Sequence, residues 1–204
     1  MKPPAWCTAP RQSLAGLLLT ALLASPLMRQ WMEASMSRHM LLQFPLWLLA
    51  GALLAAALPA RARRAIAGCN AHGIAGLLGL GMVLAVLMVP RVLDLALRDM
   101  MIEAAKCTAL LLAGALLRLS WRPAGLVVQC FFLGMQLPMM VVVGQLYIDS
   151  PLRLCNAYLL DDQERLGRWL IAVAATLAVA WLAHAAWLLV RHEQAQLARE
   201  HELR

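Results

Sequence analysis

His39 stands in the run EASMSRHMLLQFP with Met36 and Met40 beside it, and Met28 and Met32 continue the same four-residue step upstream. Thioether and imidazole groups suit Cu(I), a soft ion. On a helix, positions 36 and 40 share a face and 39 lies next to them. The spacing therefore makes His39 a candidate copper ligand with Met36 and Met40 as soft partners. The competing reading is packing: methionine is flexible and polarisable and fills gaps between helices, and twelve methionines in a hydrophobic chain of 204 residues will sometimes align by accident.

Two further histidines fall within or beside apolar runs. His72 opens the third run in CNAHGIAGL, and His184 sits inside the last one, where it could come level with His72. Histidines at similar depth on different helices can hold haem or a metal; alternatively, each bonds a neighbouring helix. His192 and His201, on a polar tail, are expected to be solvated.

The segment QLYIDSPLRLCNAYLLDDQERLGRWL is the most structured connection. An aspartate at 161 or 162 can cap the final helix. Gln163 and Gly167 share a helix face and are spaced to meet a neighbouring helix at close approach. No Ser-His-Asp, Cys-His, P-loop, GxGxxG or HExxH pattern occurs, so catalysis is not indicated. Cys7, Cys69, Cys107, Cys130 and Cys155 form no CxxC pair and no metal-finger spacing, which argues against a disulfide framework.

The elements that must position these residues are transmembrane. Hydrophobic residues make up 62% of the chain and charged ones 14%, with a mean hydropathy of +0.70. Spanning a bilayer takes roughly 20 apolar residues, and six runs approach that length: 13–28, 40–58, 73–90, 104–120, 125–148 and 168–190. The expectation is an all-α polytopic bundle of about six helices in a single domain over 1–204, multi-pass in the lipid bilayer. The first run also resembles a signal peptide; Pro26 after Ala24-Ser25 favours a retained helix. The formal charge of +7 lies between the runs and shows no nucleic-acid motif. Arg61, Arg63 and Arg64 in the 59–72 loop, with the 191–204 tail, place the termini in the cytoplasm. His39, Met100, Met101, Cys155, Asp161 and Asp162 would then face outside. The stretch 91–106 reads as an interfacial helix or an extension of the fourth span, and the last span is expected to run on into the tail.

Asp162-Gln163 followed by Gly167 and Trp169 at the head of the last span resembles a feature of the polytopic CtaG-like cytochrome c oxidase assembly proteins. The segment SMSRHMLLQFPLWLLAG resembles that family's helix with a histidine at the membrane surface, followed by apolar residues, a proline and a small residue. The run from His72 to Pro90 is compatible with it. The resemblance implies a bacterial inner-membrane protein that helps a haem-copper terminal oxidase mature by handling copper, with an oxidase subunit as partner. It implies His39 as copper ligand, His72 as a second polar centre, and Asp162 and Gln163 as groups that fix the loop or supply an oxygen ligand. The alternatives are a bis-histidine haem protein using His72 and His184, and a structural subunit of a respiratory complex. A transporter would need a polar path at mid-membrane, where the runs offer little beyond Gln129, Gln136, Pro138 and His184.

Overall fold

The computed structural model describes residues 8–202, and the side chains of all of these except 192, 195 and 197–202. The expectations for Cys7, His192 and His201 fall outside what is described. Every regular element among the described residues is a helix.

Helix α1 (Ala9–Ala24) breaks at Ser25, whose extended backbone and hydroxyl cap α2 (Pro26–Glu33) with Pro26 in the first helical position; the two axes differ by 68°. After the single turn α3 (Met36–Arg38), the chain widens into a π turn over His39–Gln43 before α4 (Phe44–Leu54). Pro45 accounts for this turn. It has no N–H to donate and its ring crowds the carbonyl of Leu41, so the ordinary helical bond there is lost.

A 3-10 turn at Ala55–Ala57 ends this helix, and α5 (Ala60–Cys69) follows, exposing Arg61, Arg63 and Arg64. The Arg-rich stretch expected as a loop is thus mostly helix. It bends by 86° into α6 (Ile74–Leu87). Gly73 makes that corner: its φ is +68°, and a β-carbon there would collide with the carbonyl of Ser120. The stretch 91–106, expected as one interfacial helix or an extension of the fourth span, divides at Asp99: α7 (Pro90–Arg98) is a separate short helix, and 100–106 begin the long helix that follows. Asp99 then caps α8 (Met100–Asp149), accepting from the amides of Met101 and Ile102.

The 50 residues of α8 are interrupted at Gly125, where φ is 62° and ψ 176°. The contacts with α6 reverse direction there. Gly73 lies against Ser120 and Ala124 and Gly79 against Leu116, whereas Gly81 meets Gln136 and Tyr147 donates to the carbonyl of Met88. The two arms of α8 therefore run antiparallel. Helix α9 (Leu160–Glu202) packs along the second arm and continues into the tail, as expected.

Among the described residues, Met36–Ala57, Met100–Asp149 and Leu160–Arg191 are long and apolar enough to cross a membrane; counting the bent pairs α1–α2 and α5–α6 as one span each raises the three to five. The count is lower than the expected six because the runs 104–120 and 125–148 are joined in α8, whose two arms are counted together.

Close approach of backbones holds the bundle together. A β-carbon on Gly51 would strike the carbonyl of Leu111, and one on Gly114 the carbonyl of Leu48, so α4 and the first arm of α8 pack at the distance only glycine permits. Gly144 and Gly167 do the same for the second arm and α9. Met32, Met36, Met40, Phe44, Trp47, Leu93, Leu110, Tyr147 and Leu166 form the main apolar core, which sits beside the polar centre described next.

Candidate functional site

Five buried polar side chains meet at the end of the bundle away from Gly125. His39 and Gln43 come from the π turn, Glu103 and Lys106 from the first turns of α8, and Tyr158 from the loop before α9. Their exposures are 0, 1, 5, 3 and 6% in that order, so the group is sealed from both water and lipid.

The hydrogen bonds set the imidazole's tautomer. Tyr158 has one hydroxyl proton and donates it to the carbonyl of Glu33 at 3.0 Å. Its oxygen, 2.8 Å from His39 Nδ1, must then accept from Nδ1–H. That leaves Nε2 as an acceptor, and Lys106 Nζ donates to it at 2.8 Å. The same ammonium donates to Gln43 Oε1 at 3.3 Å and stands 2.7 Å from Glu103 Oε2. This last contact is ionic, off the line of a directed hydrogen bond, and Oε2 has no other donor among the described residues. Cys107 Sγ donates to Glu103 Oε1 at 3.4 Å. The rings of His39 and Phe44 meet edge to face at 5.7 Å.

A lysine buried at the head of an apolar helix is costly unless its charge is paired and its donors used. Here Glu103, three residues back on the same helix, supplies the opposite charge, and α4's π turn supplies two further acceptors. The centre is overall neutral and holds one ammonium.

A second set of polar contacts fixes the loop that carries Tyr158. Asp94 of α7 accepts from the Cys155 thiol at 2.8 Å, the amide of Asn156 at 2.9 Å, its side-chain amide at 3.2 Å and the amide of Ala157 at 3.1 Å. Burial works to raise the Asp94 pKa, but these four donors win and hold it below the usual carboxylate range. Burial, with the hydrogen bond to Asp94, pushes the Cys155 thiol up to about 12. Burial, with the nearby acidic groups, also raises the Tyr158 phenol. At the loop's far side Gln163 accepts from the amide of Leu154 at 2.8 Å and donates to the carbonyls of Tyr147 and Leu152. Gln163 and Gly167 do face a neighbouring helix at close approach, as their spacing implied.

Met36 and Met40 are buried with His39, and both belong to the apolar core. His39 has both ring nitrogens engaged, so a metal could take Nε2 only if Lys106 withdrew. No group of three or more His, Cys, Asp or Glu side chains is gathered for a metal among the described residues. Asp162 lies half-buried in the first turn of α9, where its charge suits the helix dipole.

His72 is exposed in the turn before α6, at the opposite end from His39. His184 is exposed on α9 between Trp181 and Trp187, and Trp181 meets Trp121 near Gly125. No hydrogen bond or ring contact joins these two histidines among the described residues. The polar centre at that end is instead Asn70, which donates to Ser120 Oγ at 2.8 Å and accepts from the amide of Gly76 at 3.0 Å.

Glu103, Lys106, Gln43 and Tyr158 were not among the residues singled out by sequence. Lys106 carried one signal: sixteen of the eighteen basic residues are arginine, and Lys106 is the lysine that heads an apolar run. No family model, curated protein or solved structure matches the chain.

Proposed function

We propose that the chain is a multi-pass bacterial inner-membrane protein that assists assembly of a haem-copper cytochrome c oxidase, with copper as its cargo and the His39 centre as its working part. The observation that carries this reading is the bond between Tyr158 and His39. Tyr158 belongs to the loop that Gln163 braces, immediately before Asp162-Gln163-Gly167-Trp169, and His39 belongs to SMSRHMLLQFP. The two segments that resemble the assembly family are far apart in sequence and adjoin in space. An ionisable group buried at a membrane helix also marks a functional site by default.

Both arms of α8 are taken as membrane crossings in this reading, which makes six, with the termini and the arginines of α5 in the cytoplasm and His39 towards the outer face. Copper arriving from outside would meet the exposed Met100 and Met101 at the head of α8 before the buried Met36 and Met40.

The completeness of the hydrogen bonding around His39 favours a second reading, a structural subunit of a respiratory complex in which the centre only locks helices together. The two separate in cells. With His39→Ala on the chromosome and equal amounts of the variant in the membrane, the assembly reading expects loss of oxidase activity that added copper partly restores. Full activity with His39→Ala, alongside loss with Gly167→Leu, would leave the structural reading.

A further inference from the structure

Charge divides between the two ends of the bundle. The carboxylates from Glu33 to Glu164 all belong to elements at the His39 end, whereas Arg61, Arg63, Arg64, Arg118 and Arg122 belong to the end at Gly125. Three of these arginines stand on α5, a helix with no buried residue. Their side chains are exposed and have no ion pair or hydrogen bond among the described residues. With 3.6 residues to the turn, the three arginines fall on one side of α5, and Ala62 and Ile66, four residues apart and half-buried, fall on the other. The neighbouring elements fix the depth of this helix. It starts at Ala60, just past the membrane-length helix that ends at Ala57, and gives way through Asn70 and Gly73 to α6. Because α6 runs along the two arms of α8, the 86° bend lays α5 across the end of the bundle. An amphipathic helix tied at both ends to apolar helices in this way lies in the plane of the membrane surface.

We propose that α5 is an interfacial anchor for anionic phospholipids, with Ala62 and Ile66 resting on the acyl boundary and Arg61, Arg63 and Arg64 holding headgroup phosphates. The guanidinium fork matches phosphate oxygens in pairs, and Arg61 and Arg64, three residues apart, stand next to each other on the helix surface. The headgroup must carry net negative charge, because a zwitterionic one brings its own ammonium to compete for the phosphate. The apolar side of α5, alanine with a single isoleucine, offers little area to bury, so attachment depends on the headgroup charge. The anchor rests on the chain spanning a membrane and is independent of copper.

The test is phosphatidylglycerol binding to the full chain in mixed micelles, read by a fluorophore on Cys69 at the end of α5. In a Cys7→Ser and Cys130→Ser background, Cys69 is the exposed thiol that remains. Phosphatidylglycerol carrying a nitroxide near its headgroup quenches the fluorophore when it sits on α5, and phosphatidylcholine with the same nitroxide is the control. With the three arginines in place, phosphatidylglycerol is expected to quench at a far lower mole fraction than phosphatidylcholine. An arginine close to an anionic headgroup is worth about fivefold in affinity, so Arg61→Gln, Arg63→Gln and Arg64→Gln together are expected to raise the half-quenching mole fraction about 100-fold. The preference over phosphatidylcholine is expected to vanish with it. Lysine at all three positions keeps the charge and is expected to keep the preference. Arg64→Gln alone is expected to lose about fivefold, which reads the same effect if the triple variant does not fold. Equal quenching by the two lipids with the arginines present, or a preference that survives the three glutamines, would overturn the proposal. So would release of phosphatidylglycerol by inorganic phosphate at matched ionic strength, which would make α5 a site for a soluble anion.

Discussion

Lys106 and His39, 67 residues apart in the chain, meet nitrogen to nitrogen at 2.8 Å in the buried end of the bundle. The contact requires His39 to be the Nδ1–H tautomer, which Tyr158 enforces from a third element. One loop, one π turn and the first turns of α8 thus depend on each other through a single imidazole.

Removing one charge of this centre without the other leaves an uncompensated buried ion, at a cost of about 3–5 kcal/mol. Glu103→Gln is therefore expected to unfold at markedly lower denaturant than the wild type in detergent. Lys106→Met combined with Glu103→Leu is expected to recover most of the loss, and a double-mutant cycle gives the coupling. Equal loss in the single and double variants would contradict a paired centre.

Tyr158→Phe leaves His39 Nδ1–H and the carbonyl of Glu33 without their partner. Two buried groups left unpaired cost about 1–3 kcal/mol each. The variant is expected to lose about 2–6 kcal/mol of stability and to expose the loop at 150–159 to protease sooner than the rest of the chain.

Asp94 predicts a pH dependence. Its pKa is lowered by folding, so its contribution is fully present above its unfolded pKa and is lost as pH falls through the lower, folded value. The stability difference between wild type and Asp94→Asn is expected to be constant above about pH 5 and to shrink below about pH 4, the range in which a free aspartate titrates. A difference that grows on acidification would contradict the hydrogen-bonded carboxylate.

The bundle itself was legible, because apolar runs at membrane length force helices and only a few residues decide where they break. Gly125 breaks α8 at the start of the expected run 125–148, since glycine alone takes a φ of 62° at no steric cost. The helix α5 was not legible: Arg61, Arg63 and Arg64 in a short connection read as a charged loop, and the helix needs no buried face to form there. The ligand candidates were half legible. His39, Met36 and Met40 stood out by spacing, and they are buried together. Lys106 did not, because a charge at the head of an apolar run is ordinarily solvated at the interface, and only the fold brings the π turn over it. Tyr158 gave no local signal at all, since its role depends on Asp94 and Gln163 pinning a loop from two sides.

Orientation is open to a direct check through Cys69, which is exposed at the end of the bundle opposite His39. In a Cys7→Ser background, a membrane-impermeant maleimide is expected to spare Cys69 in spheroplasts and to label it in inside-out vesicles. Cys155 is expected to stay unlabelled from either side, because burial and Asp94 keep its thiol protonated. Labelling of Cys69 in spheroplasts would invert the topology and put the His39 centre in the cytoplasmic half.

The proposed copper site at His39 is tested by the copper content of the detergent-purified chain after anaerobic equilibration with Cu(I), for wild type and His39→Ala. One Cu(I) per wild-type chain is expected at saturation, with an absorption-edge spectrum showing nitrogen and sulfur neighbours, and no bound copper in His39→Ala. Equal copper in both, or none in either at concentrations that saturate a chromophoric Cu(I) chelator, would contradict it.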